Sequence, residues 1–503
     1  MKNKYELLKE YFGYDTYREG QEKVIDSILN GRDVLGIMPT GAGKSVCYQI
    51  PALMMSGITL VISPLISLMQ DQVAALNQAG VHAAYLNSSL TYNQYLTALK
   101  YARAGRYKII YVAPERLETN EFLAFAMCAD ISLIAVDEAH CVSQWGQDFR
   151  PSYLRIISFI DKLKKRPVIS AFTATATSDV RDDIIRILKL QDPVLLTTGF
   201  NRTNLYFQTV RPKDRFQALT EYMETFDGQS GVIYCLTRKA VEEVCEKLIQ
   251  AGYPATRYHA GLTPEERKAN QDAFIYDEKP IMVATNAFGM GIDKSNVRYV
   301  IHYNMPKNME GYYQEAGRAG RDGAPARCIL LYSPQDVMVN RYFIENNNRN
   351  DEMTEEDRAF VQKLDEKRLN DMVSYCLTHK CLRTYILNYF GEQGPANCGG
   401  CSNCLSPEGR ANAARIIKRK NVNREEEDKE LFDALRALRL DIARKKKIPP
   451  YQIFSDKTLK DMCAIRPKNK MDFMSVPGVG FMKCNRYGTD FMKVIEKYQL
   501  ENS

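Results

Sequence analysis

The stretch that decides the fold is Met38-Pro39-Thr40-Gly41-Ala42-Gly43-Lys44-Ser45. It follows a short apolar run, from Asp33 to Ile37, that has the pattern of a buried strand. It precedes Val46 to Met55, whose pattern indicates the start of a helix. A strand, a glycine-rich turn and a Gly-Lys-Ser sequence that opens a helix predict a phosphate-binding loop, although the full pattern has glycine where this chain has Met38.

Each residue type in this loop has a physical purpose. Gly41 and Gly43 let backbone N–H groups close around phosphate oxygens at the positive end of a helix. The Lys44 side chain can reach the β and γ phosphates, and the Ser45 hydroxyl can bind Mg²⁺. The predicted nucleotide-binding set consists of Thr40, Gly41, Ala42, Gly43, Lys44 and Ser45.

Size and composition indicate a chain of several domains, because 503 residues with 45% hydrophobic content can form more than one packed core. No apolar run approaches the ~18–20 residues needed to span a bilayer. The charged N-terminal segment lacks the apolar core of a signal peptide. The 13 cysteines are mostly scattered singly, as in reduced proteins. We therefore expect no membrane partner and a cytoplasmic location.

Positive charge is concentrated near the C-terminus. Residues 405–503 carry 22 Lys and Arg against 14 Asp and Glu, whereas residues 1–404 carry 46 against 47. The last fifth of the chain is therefore either a site that attracts a polyanion or an ordinary solvated basic face.

Strand-like apolar runs alternate with helical patterns in two successive blocks. The candidate strands of the first block are Ile58–Ser63, Lys108–Val112, Leu133–Val136 and Val168–Phe172. Those of the second block, after Gly199, are Gly231–Leu236, Pro280–Ala284, Arg298–His302 and Arg327–Leu331. Such alternation predicts an α/β fold with parallel, helix-covered sheets, in which chemistry takes place at the carboxyl ends of the strands.

Asp137 and Glu138 follow the apolar run Leu133–Val136 directly. Two consecutive carboxylates at the end of a buried strand are costly unless something pairs with them. Asp137 could hold Mg²⁺ through water, and Glu138 could orient and deprotonate the attacking water. The alternative is an acidic pair at a helix start, where the helix dipole favours it.

The segment from Cys141 to Tyr153 contains the only tryptophan of the chain, Trp145, together with Phe149, Arg150 and Tyr153. Aromatic side chains interleaved with arginine suit stacking on single-stranded bases and contact with phosphate. The alternative is a loop that Trp145 anchors in a core.

The first segment, Lys4 to Asn30, has a helical pattern and contains Tyr14, Arg18 and Gln21. A ring that stacks and an amide that reads a base edge could bind adenine, although such residues are more often ordinary surface or packing residues.

The second block ends with Gln314, Arg318 and Arg321 close together. The two arginines are three residues apart and so lie on one face of a helix or turn. A guanidinium supplied by a second domain can stabilise the charge that develops on a transferring γ-phosphoryl group. This would couple ATP hydrolysis to domain closure.

Together these residues resemble the motifs of RecQ-type DNA helicases of superfamily 2, closely over residues 5–405 and more loosely beyond. The resembling motifs are the adenine motif (Tyr14, Arg18, Gln21), motif I (Met38–Ser45), the DEAH box (137–140), the aromatic-rich loop (141–153), motif III (173–175), motif V (283–293) and motif VI (314–321). The resemblance implies two RecA-like domains and a DNA-stimulated ATPase that moves 3′ to 5′ and separates duplexes in repair or recombination. It implies Arg321 as the arginine finger. The implied ligands are single-stranded and partly duplex DNA, and the candidate partners are single-strand-binding or recombination proteins. The implied location is the nucleoid of a bacterium.

Four cysteines predict a structural Zn²⁺ site. Cys398, Cys401 and Cys404 are regularly spaced, and the first ligand is either Cys376 or Cys381. Four thiolates make a closed tetrahedral site with no open position for chemistry. The resemblance of the helix after Cys381 to the helix that carries the family's first zinc ligand favours Cys381.

After the zinc cluster the chain departs from the family pattern, because no room remains for a winged-helix domain. The predicted domains are 1–199 and 200–335 (RecA-like), 336–407 (zinc-binding), 408–428 (linker) and 429–503 (helical, HRDC-like). The basic run 444–447 could contact phosphates or form a solvated face.

Two other functions are compatible with the same core. One is an RNA helicase or RNA-dependent ATPase, against which the zinc cluster and the Trp145 loop argue. The other is an annealing or binding scaffold without catalysis, against which Lys44, Glu138 and Arg321 argue.

Overall fold

The computed structural model describes residues 2–39, 41–146, 148–288, 294–346, 355–405 and 425–501. The chain divides into two units. The first comprises residues 1–199 together with 464–503, and the second comprises residues 200–463.

A seven-stranded sheet forms the centre of the first unit, in the order β3-β4-β2-β5-β6-β1-β7. All of its described pairings are parallel. The strands are β1 (Val34–Ile37), β2 (Ile58–Ile62), β3 (Ala83–Leu86), β4 (Ile109–Val112), β5 (Ile131–Val136), β6 (Val168–Thr173) and β7 (Val194–Thr197).

Eight helices accompany this sheet in residues 1–199, as far as these are described. They are α1 (Lys4–Leu7), α2 (Gln21–Leu29), α3 (Lys44–Met54), α4 (Ile66–Ala79), α5 (Tyr92–Arg103), α6 (Asn120–Ala126), α7 (Arg155–Ile160) and α8 (Ser178–Ile187). The central strands β1, β2 and β4 are buried along their whole length, as expected for a sheet covered on both faces.

A six-stranded sheet forms the centre of the second unit, in the order β10-β11-β9-β12-β13-β8. It too is parallel in every described pairing. Its strands are β8 (Leu205–Val210), β9 (Gly231–Tyr234), β10 (Ala255–Tyr258), β11 (Ile281–Ala284), β12 (Tyr299–His302) and β13 (Ala326–Leu331). The predicted α/β fold with two parallel-sheet domains is therefore confirmed.

Four helices lie among these strands or follow them. They are α9 (Arg215–Thr225), α10 (Arg238–Gln250), α11 (Pro264–Ile275) and α12 (Met309–Ala316). Three helices then carry the chain to the cysteine cluster: α13 (Pro334–Glu345), α14 (Glu355–Leu377) and α15 (Leu382–Tyr389).

The last part of the chain is helical, as predicted. Its helices are α16 (Glu425–Lys446), α17 (Pro450–Ile453), α18 (Asp456–Ile465), α19 (Lys470–Ser475) and α20 (Phe481–Glu501). The boundary between the two units falls at residues 463 and 464, so α16 and α17 belong to the second unit and α19 and α20 to the first. Among the described residues, none of the helices has the length and apolar character required to span a bilayer.

The predicted helix from Lys4 to Asn30 is interrupted. After α1 the chain continues as a π-helical turn, Leu8–Phe12, and ends at Gly13 in the left-handed conformation with φ of 77°. The chain becomes helical again only at Gln21. The interruption places residues 14–20 in a loop before α2.

Candidate active site

The phosphate-binding loop connects β1 to α3. Gly41 and Gly43 have φ of 87° and 82°, values that glycine adopts without steric penalty. A Cβ atom on Gly43 would lie 2.5 Å from Nε2 of Gln21, so the position also requires a residue without a side chain. Lys44 begins the helix directly after this turn. Thr40, which we predicted as part of the loop, lies outside the described residues.

Two residues of the predicted adenine motif hold this loop in place. The Gln21 side chain, 4% exposed, donates to the carbonyl oxygens of Ala42 at 3.2 Å and Gly43 at 3.0 Å. The Arg18 guanidinium donates to the carbonyl oxygen of Gly41. Tyr14 lies nearby in sequence and is 43% exposed. The Gln21 amide therefore supports the phosphate loop, a role that the sequence analysis did not assign.

Asp137 and Glu138 follow β5 as expected, and the Asp137 N–H donates to the Ile62 carbonyl oxygen at 2.9 Å. Burial, reinforced by the Glu138 carboxylate, raises the pKa of Asp137 to about 6, while the Lys44 ammonium acts in the opposite direction. A buried carboxylate next to another carboxylate and within the field of a lysine is a suitable ligand for a cation. The donors at this position therefore fit a Mg²⁺–nucleotide complex.

Glu138 has a left-handed backbone, with φ of 48° and ψ of 47°. This conformation is unfavourable for a residue with a side chain and is typical of functional positions. The Glu138 carboxylate lies 3.4 Å from Nδ1 of His140.

His140 connects the DEAH box to motif III. Its Nδ1 lies 2.9 Å from Oγ1 of Thr173, which donates its own proton to the carbonyl oxygen of Thr175. Burial lowers the pKa of His140, which favours the neutral ring.

The aromatic loop is bonded directly to the DEAH box. The Tyr153 hydroxyl donates to the Asp137 carbonyl oxygen at 2.9 Å. Within the loop, the Arg150 N–H donates to the carbonyl oxygen of Cys141, the residue that follows the DEAH box, at 2.9 Å. Gly146 lies against His140, since a Cβ atom there would be 2.1 Å from the His140 carbonyl oxygen. The loop and the carboxylate pair therefore form one connected structure.

The side chains of this loop differ in exposure. Trp145, Phe149 and Arg150 are half-buried, and Arg150 is paired with Asp148 at 2.8 Å. Tyr153, which we grouped with the aromatic residues that could stack on bases, is fully buried. Its hydroxyl bonds inward to a carbonyl group, so Tyr153 does not offer a stacking surface.

In the second unit, Gln314 lies on α12, and Arg318 and Arg321 lie in the turn that follows it. Arg318 is buried and Arg321 is half-buried. The backbone of this turn is fixed by Arg202, whose guanidinium donates to the carbonyl oxygens of Ala319 at 3.0 Å and Gly320 at 2.8 Å. Sequence reasoning missed Arg202, because a single arginine before a strand carries no recognisable pattern.

Two further contacts hold α12. His302 of β12 and Glu315 are 2.8 Å apart in the buried interior. Tyr234 of β9 stacks on the His302 ring at 5.5 Å between centroids. Burial raises the pKa of Tyr234 to about 12, and the Arg318 guanidinium opposes this shift.

Motif V begins with β11, but residues 289–293 of that motif lie outside the described residues.

Four cysteine sulfur atoms come together as predicted. Cys381, Cys398, Cys401 and Cys404 have their Sγ atoms within 4.8 Å of one another. Cys376, the alternative first ligand, is not part of this group. Four thiolates at such spacing fit tetrahedral Zn²⁺ with its bonds of about 2.3 Å.

The zinc-binding segment also packs on α12. The Tyr312 and Tyr375 hydroxyls lie 3.1 Å apart, and the Tyr389 hydroxyl donates to Glu310 at 2.9 Å. Arg383, two residues after the first zinc ligand, donates to the carbonyl oxygen of Arg202. The cysteine cluster and the motif VI turn are therefore supported by the same set of buried contacts.

Comparisons with known proteins agree with this geometry. The chain matches four family models, described as DEAD/DEAH box helicase (residues 18–183), Helicase conserved C-terminal domain (214–323), RecQ zinc-binding (334–405) and HRDC domain (428–495). The "ATP-dependent DNA helicase RecQ" of Bacillus subtilis is 39% identical over 588 residues, covering 98% of both chains. The chain belongs to the RecQ family of ATP-dependent DNA helicases.

Other comparisons extend this picture. The RecQ helicase of Pasteurella multocida is 34% identical over 98% of this chain and 94% of its own length. Among solved structures, MrfA, a DUF1998 helicase bound to DNA, has a TM-score of 0.53 at 18% identity and covers 73% of this chain and 52% of its own. Dbp5 of S. cerevisiae bound to RNA has a TM-score of 0.53 at 20% identity, covering 72% and 97%. At this identity the structural matches show the fold alone.

This chain lacks internal residues that its Bacillus relative has. The alignment of 588 residues is longer than the 503 residues of this chain, so at least 85 aligned positions have no counterpart here. Only residues 406–427 lie between the zinc-binding match and the HRDC match. These figures agree with the predicted lack of room for a winged-helix domain at this point of the chain.

Within the first unit, the turn of residues 476–480, here called the docking turn, packs against the adenine-motif loop. The Gly478 N–H donates to the Gly13 carbonyl oxygen at 2.9 Å. A Cβ atom on Gly13 would lie 2.4 Å from a backbone nitrogen of the docking turn. On α20, the Tyr487 hydroxyl donates to Oε1 of Gln78 at 2.9 Å. The C-terminal segment therefore contacts the residue immediately before Tyr14.

Within the second unit, α16 is attached by ion pairs. Arg436 binds Asp277 at 2.6 Å, and Arg444 binds Glu278 at 2.7 Å. Asp277 also accepts from the buried Lys294. Part of the basic charge that we interpreted as either a polyanion site or a solvated face is therefore neutralised by acidic residues of the same chain.

Proposed function

We propose that this chain is a 3′-to-5′ DNA helicase whose ATP hydrolysis is stimulated by single-stranded DNA. The observation that carries the proposal is the contact of the aromatic loop with the DEAH box, through the Tyr153 hydroxyl on the Asp137 carbonyl oxygen and through Gly146 against the His140 carbonyl oxygen. A strand that displaces the loop would displace the carboxylate pair with it. Such a connection gives DNA contact a direct physical effect on ATP hydrolysis.

In the proposed reaction, the backbone of the phosphate loop and the Lys44 ammonium bind the β and γ phosphates of ATP. Ser45 and Asp137 would hold a Mg²⁺ ion, which would supply positive charge to neutralise the phosphates. Glu138 orients the attacking water and accepts its proton. The His140 ring, neutral and bonded to the Thr173 hydroxyl, holds the DEAH turn against motif III.

Tyr14, which is 43% exposed, is the residue of the adenine motif that we propose to stack on the base. Arg18 and Gln21 would act on the base only through the loop that they support. The roles of Gln314, Arg318 and Arg321, including that of Arg321 as arginine finger, stay predictions. Replacing Arg321 by Lys should lower kcat while leaving ATP affinity nearly unchanged, because lysine cannot reproduce the planar guanidinium.

For strand contact we propose Trp145 and Phe149 as stacking residues and Arg150 as a phosphate contact. Base stacking on aromatic side chains contributes about 1–3 kcal/mol per base. On the basis of the family alone, we also propose a role in DNA repair or recombination. The proposed location is the cytoplasm, and the proposed partners are single-strand-binding proteins.

The structural role of the zinc site belongs to the same proposal. Cys381, Cys398, Cys401 and Cys404 would hold Zn²⁺ as four thiolates and thereby fix the segment that packs on α12.

The experiment that tests the function compares unwinding of 3′-tailed, 5′-tailed and blunt duplexes with ATP and Mg²⁺. We expect unwinding of the 3′-tailed substrate only, and none with the Lys44→Ala variant. Preference for the 5′ tail would overturn the polarity, and unwinding by Lys44→Ala would overturn the assignment of the phosphate loop.

An RNA substrate is the second candidate, because a mimivirus protein named "Putative ATP-dependent RNA helicase R290" is 40% identical over 83% of this chain. Stimulation of ATP hydrolysis by DNA and RNA oligonucleotides of equal length decides between them. We expect DNA to stimulate more strongly, and greater stimulation by RNA would reverse the assignment.

A further inference from the structure

Tyr153 does not have the stacking role expected of the aromatic loop, and the comparisons assign it no other role. It lies in a short 3-10 turn, Pro151–Leu154, at the end of the aromatic loop, and its side chain is fully buried. Its hydroxyl donates to the carbonyl oxygen of Asp137 at 2.9 Å. A tyrosine inside the first unit is therefore bonded to the backbone of the proposed metal ligand.

The carbonyl group that Tyr153 binds belongs to the peptide that joins Asp137 to Glu138. Rotation of this peptide about the N–Cα bond of Glu138 is the φ angle of Glu138, which is 48°. A residue with a side chain does not hold this angle without support from its surroundings. The orientation of the peptide also determines where the Glu138 side chain points.

Two other bonds hold the two ends of this turn. The Asp137 N–H donates to the Ile62 carbonyl oxygen, and the Cys141 N–H donates to the Glu138 carbonyl oxygen, both at 2.9 Å. Neither bond involves the Asp137 carbonyl group. The Tyr153 hydroxyl, in contrast, bonds that carbonyl oxygen directly.

Tyr153 is also hydrogen-bonded, through its backbone, to the rest of the aromatic loop. The Tyr153 N–H donates to the Arg150 carbonyl oxygen at 2.9 Å, and the Arg150 N–H donates to the Cys141 carbonyl oxygen at 2.9 Å. A displacement of Arg150 therefore acts on the 3-10 turn that carries Tyr153.

We propose that Tyr153 is a positioning residue, which holds the Asp137–Glu138 peptide in its left-handed orientation and passes movement of the aromatic loop to the Glu138 carboxylate. This inference rests on the proposed function, because Glu138 must act on the attacking water for its direction to matter. The alternative role of Tyr153 is only to satisfy a buried carbonyl group. The two roles differ in what they change: a purely structural bond affects stability, whereas a positioning bond affects kcat.

The test is Tyr153→Phe in the full chain, which keeps the ring and removes one hydrogen bond. We expect the kcat of DNA-stimulated ATP hydrolysis to fall about 3- to 10-fold, with unchanged KM for ATP and unchanged affinity for oligonucleotide. The matched control is Tyr95→Phe, since Tyr95 is also buried and its hydroxyl bonds Oγ1 of Thr119 at 3.1 Å, outside the DEAH turn. The control should show a similar change in melting temperature and an unchanged kcat.

A second background keeps the inference testable if both variants lose stability. Glu138→Gln removes the proposed base, so adding Tyr153→Phe should not lower the residual rate further if Tyr153 acts through Glu138. A further fall in the double variant would overturn the inference. So would a Tyr153→Phe enzyme with the kcat of the wild type. If instead the wild type is not stimulated by DNA at all, the proposed function fails and not this inference alone.

Discussion

Replacing Gly146 by alanine probes the junction between the aromatic loop and the DEAH box with a single methyl group. The new Cβ atom would lie 2.1 Å from the carbonyl oxygen of His140 and 2.9 Å from that of Ser143. Heavy atoms in contact normally lie about 3.5 Å apart, so the loop must move by roughly 1 Å or more. The atom that it meets is backbone, which cannot rotate away as the end of a flexible side chain can.

This movement of the loop should lower both the free energy of unfolding and the rate of ATP hydrolysis, by different amounts. The Gly146 N–H donates to the Ser143 carbonyl oxygen at 2.8 Å, and the Arg150 N–H donates to the Cys141 carbonyl oxygen at 2.9 Å. Weakening both would lower the free energy of unfolding by about 1–3 kcal/mol. Misplacing a reacting group by 1 Å can lower a rate by about 100-fold. We therefore expect a modest loss of stability and a large loss of DNA stimulation.

The assay is ATP hydrolysis at saturating ATP with increasing single-stranded oligonucleotide, alongside thermal unfolding. Gly105→Ala is the matched control, because Gly105 has φ of 67° but no atom within 4 Å of an added Cβ. That control should lose about 1 kcal/mol through backbone strain and keep its DNA stimulation. If Gly146→Ala is stimulated as strongly as the wild type, the loop and the carboxylates are not coupled through this contact.

Three further predictions concern other parts of the chain. Replacing Cys398 and Cys401 by Ser should abolish bound zinc and lower the melting temperature; unchanged metal content by mass spectrometry would reject the site. Replacing Gly13 by Ala should release the docking turn, seen as faster amide exchange there, and unaltered protection would contradict the contact. Burial raises the pKa of Asp277, but its paired cations outweigh this and hold the pKa at about 2, below the unfolded value of 3.8. The stability from this pair is therefore present above about pH 4 and lost as the pH falls toward 2. Urea unfolding at pH 5 and pH 3 should show a smaller decrease for Asp277→Asn than for the wild type, and equal decreases would refute the pairing.

The central strands could be predicted from sequence, whereas the edge strands could not. The four strands that the apolar pattern missed, β3, β7, β8 and β10, are the outermost strands of the two sheets. An edge strand has fewer buried positions, as in β7, where two of its four residues are exposed. Continuous apolar runs therefore identify only strands that have neighbours on both sides.

The candidate site was predictable where its residues are consecutive. The phosphate loop and the carboxylate pair were located by their positions after apolar runs, and both follow strands in the structure. Spacing alone left Cys376 and Cys381 open as the first ligand, because both precede the other three cysteines at a plausible distance, and only the family resemblance favoured Cys381. The spatial grouping of sulfur atoms resolved the choice.

Contacts between distant parts of the chain were not predictable. The sequence shows Gln21 and Gly43 as separate motifs, yet the amide of Gln21 is bonded to the carbonyl group of Gly43. Likewise, the aromatic residues after the DEAH box look alike in sequence. Only the fold separates Tyr153, which is buried, from Trp145 and Phe149, which are half-buried. Burial depends on which elements pack together, and this information is not local.

The most direct test of the central claim is the rate of ATP hydrolysis by the intact chain with and without single-stranded DNA. If strand contact at the aromatic loop acts on Asp137 and Glu138, saturating oligonucleotide should raise kcat by at least about tenfold, and Lys44→Ala should abolish hydrolysis in both conditions. Hydrolysis at the same rate with and without DNA would contradict the account.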